Sequence, residues 1–170
     1  MIFMSESGIT DAARQARWDE WYIAHLKIML SVPGVDSAQR FHTAQPGHPP
    51  SLALYTIQSR AVFADAYYQS VRGMGEWLPL IDRRFYRRNL FEGLAEAPAV
   101  SNGECLIVAD RSYAQPQLHG IAVTWLEAAG LDQSTPFRGI AVVDAATARR
   151  LSADAPDIAI YRPVTERLSK

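Results

Sequence analysis

The sequence predicts an α+β protein: one antiparallel sheet with helices on a single face, followed by a shorter module of similar make. Three observations carry this. Apolar residues recur at helical spacing over 8–34 and again over 60–81. Short β-branched and aromatic runs, bounded by turn formers, stand around them. A stretch of small residues, "AEAPAVSNGE" at 95–104, then separates these elements from a second set.

The elements follow in order. "MIFMS" is a short apolar run and reads as the first strand. The helix over 8–34 starts at Thr10 or Asp11, whose short oxygen side chains can satisfy free backbone N–H groups. Trp18, Trp21, Tyr22, His25, Met29 and Val32 share its apolar face, and Asp19, Glu20, Lys27 and Ser31 fall elsewhere on the wheel. "PG" at 33–34 ends it, with Gly34 suited to a left-handed position. "VDSAQRFHTA" and "SLALYTIQS" are two strands joined by the loop "QPGHPP". "RAVFADAYYQSVRGMGEWLPLI" is read as a second helix, buried along Phe63, Tyr67, Ser70, Met74 and Trp77, with Gly73 and Gly75 weakening its last turn. "DRRFYRRNLFEGL" is read as a strand that places Arg83, Phe85 and Arg87 on one face and Arg84, Tyr86 and Arg88 on the other.

The order so far is the split-βαβ, ferredoxin-like arrangement over residues 1–95, with 96–103 as a linker. In the second module, 104–165, "CLIVAD" reads as a strand, "QLHGIAVTWLEAAGL" as a helix and "FRGIAVVD" as a strand. "AATARRLSADA" then reads as a short helix and "IAIYRPV" as a strand. That βαβαβ order is one strand short of the first module.

Bulk properties narrow the function classes. Lys plus Arg number 17 against 18 Asp plus Glu, so no basic excess exists to attract a nucleic-acid backbone. Cys105 is the single cysteine, which excludes an intramolecular disulfide and fits a reducing compartment. No apolar run reaches the ~18–20 residues that span a bilayer, and the start lacks the pattern of a secretory signal. The expectation is a cytoplasmic protein bound to neither membrane nor nucleic acid. His42 and His48 flank a proline-rich loop at a spacing that is not a zinc pattern, so neither metal nor other cofactor is expected.

"WYIAHLKIMLSVPGVDSAQRF", with "SLALYTIQS" downstream, resembles the dimeric α+β barrel superfamily, and within it the EthD-like branch. The matching residues are Trp21, Tyr22, His25, Pro33, Gly34 and Arg40. The last third departs from the pattern, because typical members end near the fourth strand. The resemblance implies an open sheet face packed on a second such sheet, with pockets between each sheet and its helices. A homodimer supplies the second sheet in the family, and one is expected here, the extension helping to cover the face. The alternative is that the second half completes the barrel within one chain.

The resemblance also implies a small apolar or aromatic ligand, without a metal, and a cyclase, isomerase or cofactor-free oxygenase type of chemistry. His25 and Tyr22 are the candidate catalytic residues, since a neutral imidazole in an apolar pocket can take and return a proton. Trp21, Arg40, Tyr55, Tyr67, Trp77 and Tyr86 are the candidate ligand-binding residues. Two plainer readings stand beside these. His25 can be a structural histidine, and the basic run 83–88 can protect an edge strand from aggregation. A non-catalytic ligand-binding or stress-related oligomeric protein is the alternative function, and some relatives of the fold bind haem through a histidine.

Overall fold

A computed structural model describes the backbone of residues 1–170 and the side chains of all but residue 154. The first half contains β1 (Ile2–Ser7), α1 (Gln15–Ser31), β2 (Val35–His42), β3 (Ser51–Ile57), α2 (Ala66–Val71) and β4 (Arg87–Glu92). The second half contains β5 (Glu104–Arg111), the two-residue strands β6 (Gln117–Leu118) and β7 (Ile121–Ala122), β8 (Thr124–Leu131) and β9 (Phe137–Asp144). It ends with α3 (Ala145–Asp154), β10 (Ala159–Pro163) and the short β11 (Leu168–Ser169).

The main sheet runs β10-β5-β9-β8-β4-β1-β3-β2, every neighbour antiparallel, and β10 also pairs with β2. The eight strands therefore close into a barrel within one chain. β11 adds to the outer part of β2. Each half contributes four strands in the same order. Numbering strands within a half, the fourth pairs with the first, the first with the third and the third with the second. The halves join twice in the same sense, β4 on β8 and β10 on β2. Because the second sheet is supplied internally, the first sheet needs no other copy to cover it.

Alternation along the strands sorts side chains into three layers. Ile2, Met4, Leu52, Leu54 and Phe91 from the first half meet Leu106, Val108, Leu126, Ile140 and Tyr161 from the second inside the barrel. Opposite-facing residues Phe3, Ala53 and Tyr55 pack under Trp18, Tyr22, Leu26 and Met29 of α1. Cys105, Ile107 and Ala109 pack under Ala148 and Leu151 of α3. The segment read as a linker is built into the barrel interior. Ala97 and Val100 are buried there, and the Val100 N–H and C=O both pair with the Gln39 amide.

Most strands lie where the sequence places them, and four expectations are corrected. Residues 117–131 are not a helix but β6, β7 and β8. Trp125 lies over Gly139 of the neighbouring strand, where an added Cβ would meet its ring at 3.1 Å. That cross-strand fit, with β8 bridging β4 and β9, outweighs the helix propensity of "LEAA". The second helix is broken into a 3-10 turn at Arg60–Ala64, α2, and a second 3-10 turn at Gly75–Leu80. Asp65 causes the first break by accepting from the N–H groups of Tyr67 and Tyr68 as a fresh N-cap. Gly73 and Gly75, both at positive φ, make the second.

Residues 83–86 are not a strand: 83–85 form a turn held by Asp82, whose carboxylate accepts from the Arg84 backbone and guanidinium. β4 begins only at Arg87 and sits between β1 and β8, so its arginines do not guard an edge. At the start of α1, Asp11 caps a 3-10 turn at Ala12–Arg14, and the α-helix begins at Gln15. No described helix is long and apolar enough to cross a membrane.

Candidate functional site

The buried face of α1 lies across β1, β2 and β3. Trp18, Tyr22, Leu26 and Met29 recur at three or four residues, so all four point to the sheet. A cavity of about 30 Å³ remains between this face and the sheet. Tyr22 and His25 reach it from α1, Tyr55 from β3, and Tyr86 from just before β4. Ser5 of β1, Tyr68 of α2, Arg72 just after α2 and Arg88 of β4 complete its polar lining.

His25 stacks on Trp21 with ring centroids 4.8 Å apart, and meets Tyr22 edge-on at 6.1 Å. Burial disfavours its charged form and lowers its pKa to about 4. At pH 7 the ring is neutral and has a free lone pair. Tyr22 and Tyr55 are fully buried, and loss of hydration pushes both phenols above their ordinary value. Tyr68 shifts the same way for the same reason, with Arg88 pulling against it. The cavity thus joins one neutral imidazole to phenol groups that keep their protons, a combination of proton acceptor and anion-stabilising donors.

Arg40 lies behind Tyr22, not in the cavity. Its guanidinium is fully buried, 4.2 Å from the Tyr22 ring centroid, and donates to the Asp19 carboxylate at 2.7 Å. It also donates to the Asp19 carbonyl, to Ser51 Oγ and to His42 Nε2. Every arm is satisfied, which allows the charge to stay buried. Arg40 therefore fixes the tilt of α1 and the position of Tyr22. Asp19, which the wheel placed off the apolar face, is the partner that makes this possible.

The remaining expected residues separate. Trp21 supports His25 from the side, and Trp77 is buried against Trp18 at 5.2 Å, outside the cavity. Tyr67 points to solvent, where its hydroxyl meets Ser31 Oγ, and its neighbour Tyr68 takes the inward place. One helical period running through residues 60–81 turns Tyr67 inward and hides Tyr68, whereas Asp65 restarts the count. Ser5 and Arg88 carried no signal of their own, since small polar and basic residues alternating in strands have many uses.

Among the described residues no three His, Cys, Asp or Glu side chains come together as a metal site. His42 is tied to Arg40, and His48 contacts the Pro156 carbonyl. In comparisons with protein-family models, with curated proteins and with solved structures, nothing matches this chain.

Proposed function

We propose that the chain is a dimeric α+β barrel protein of the EthD-like kind, its first half ferredoxin-like, with the second half standing in for a partner subunit. We place it in the cytoplasm, on the ground of its single unpaired cysteine. It binds a small apolar or aromatic molecule between α1 and the sheet. His25 takes a proton from an activated carbon of that molecule, and Tyr22, with Tyr55 and Tyr86, donates to the developing oxyanion. The supporting observation is convergence: Tyr22 and His25 of α1, Tyr55 of β3 and Tyr86 from before β4 line one cavity. The chemistry needs no metal or cofactor, since neutral imidazole and phenols suffice for an enolisation or cyclisation.

The cavity volume favours a second reading. About 30 Å³ holds roughly one water molecule. A ligand must displace the wall at Arg72–Met74, which belongs to neither α1 nor the sheet. Under this second reading the chain binds without turnover and His25 only packs. His25→Gln separates the two. The variant keeps the size and polarity of the side chain but removes its basicity. Loss of turnover on an enolisable aromatic ketone with an unchanged melting curve supports the enzyme. No turnover by the wild type, with a lower Tm in His25→Ala, supports the binding protein.

A further inference from the structure

The molecule has a hollow far larger than the His25 cavity. A cleft of about 680 Å³ lies where the halves meet, over the pairing of β2 with β10. Its volume is in the range of small-molecule sites, roughly 300–1,000 Å³. One wall comes from the start of α1, with Trp18, and the opposite wall from α3. The floor carries His42 and Arg162, which face each other across the strand pair, beside Ile160. Neither half forms the cleft alone.

Its charge is one-sided. Arg149 of α3 and Arg162 of β10 line it, and among the described lining residues there is no carboxylate. Both arginines are exposed, and no ion pair engages either of them among the described residues. The nearby Asp19 is already neutralised by buried Arg40 and accepts from Gln15 as well. His42 adds no charge at pH 7, because burial and the adjacent Arg40 both keep its ring neutral. The remainder of the lining is largely apolar, with Pro46, Pro50 and Ala148 beside Trp18 and Ile160. Two guanidinium groups over an apolar pocket match a carboxylate attached to an apolar body, since the guanidinium fork fits the two carboxylate oxygens.

We propose that this seam cleft is a binding site for a small organic carboxylate with an apolar body, with Arg149 and Arg162 as its anion-binding groups. The site is separate from the His25 cavity and does not depend on what happens there.

The test uses 2-naphthoate as the probe and 2-naphthamide as its uncharged counterpart, titrated into the full chain by calorimetry and by amide chemical-shift mapping. The expected shifts fall on Thr43–Gln45, Arg149 and Ile160–Arg162. The amide is expected to bind about tenfold more weakly, as is the naphthoate to the Arg149→Gln/Arg162→Gln double variant. His25→Gln should bind naphthoate like the wild type. Both arginines are exposed, so the double variant should fold, and its amide spectrum checks that it does. Equal affinity for acid and amide, an unaffected double variant, shifts confined to the His25 cavity, or no binding at millimolar probe would each overturn the proposal.

Discussion

The two halves of this barrel have one strand order and two different coats. In the first half the seventeen-residue α1 lies over the sheet and brings Tyr22 and His25 against it. At the same point in the strand sequence the second half has only the small β6–β7 hairpin, whose Leu118 joins Leu151 of α3 over an aliphatic layer. The sheets interlock through a shared interior, so their strand order is constrained by pairing. The outer layers lie mainly over their own half and meet only at the seam, so they are freer to diverge. Buried tyrosines with raised pKa values accordingly collect under α1, while Cys105, Ile107, Ala109 and Ile158 fill the corresponding layer of the second half. A reactive site is to be sought in the coat, and stability in the interior.

The sharpest way to break this division is inside the barrel. Arg138 of β9 is buried between Glu6 of the first half and Asp110 of the second, at 3.1 and 2.7 Å. Glu6 is itself buried, and loss of hydration raises its pKa against the pull of Arg138. Arg138→Ala should cost about 3–5 kcal/mol, because it strands Glu6 in the interior. Pairing it with Glu6→Gln should recover part of that loss in urea melts. A cost below about 1 kcal/mol would mean that the interior is wetter than its packing indicates.

Next come the apolar residues of the shared core. Leu54 and Leu106 belong to different halves and are both buried in the same interior cluster. Leu54→Ala and Leu106→Ala should each cost about 2–5 kcal/mol. More telling is the shape of the transition. Both variants should unfold in one cooperative step by tryptophan fluorescence and far-UV circular dichroism alike. Two separated transitions would show that the halves are independent modules.

The coat is probed by pH. The His25 pKa is about 4 in the folded chain and near 6.5 when unfolded. Between those values the unfolded chain holds a proton that the folded chain does not. Stability therefore falls as pH drops from about 6.5 to 4, by up to about 3 kcal/mol for this group. His25→Gln should flatten that part of the profile. The lowered His42 gives a slope of the same sign, which remains in the variant, so the difference between the two curves isolates His25. Identical curves would mean that the ring is hydrated in the folded state.

How much of this the sequence disclosed follows the same division. Strands β1, β2, β3, β5, β9 and β10 were legible because apolar alternation and turn residues are local signals. β8 was not, because "TWLEAAGL" has helix-forming residues locally and becomes a strand through Gly139 and β4, both distant in sequence. Tyr22 and His25 were legible from the periodicity of one long helix. The Arg40–Asp19 pair and the Glu6–Arg138 pair were not, since nothing local says which of 17 basic residues will be buried. The sequence offers closure of the barrel within one chain only as an alternative, because β8, the strand that closure needs, carries helix-forming residues.

The smallest expected effect tests the finest structural correction. Tyr67 and Tyr68 are adjacent and chemically identical, and a helix unbroken from Arg60 would turn Tyr67 inward. With the Asp65 cap in place, Tyr68 is 3% exposed and Tyr67 45%. Tyr67→Ala should then lie within about 0.5 kcal/mol of wild type, as for surface sites generally. Tyr68→Ala should cost about 3–5 kcal/mol, the range for removal of a buried aromatic ring. Asp65→Ala should cost about 1 kcal/mol, because it removes the oxygen that satisfies two backbone N–H groups. The reverse order for the two tyrosines would mean that the helix runs through residue 65. The lining of the His25 cavity would then have to be redrawn with Tyr67 in it.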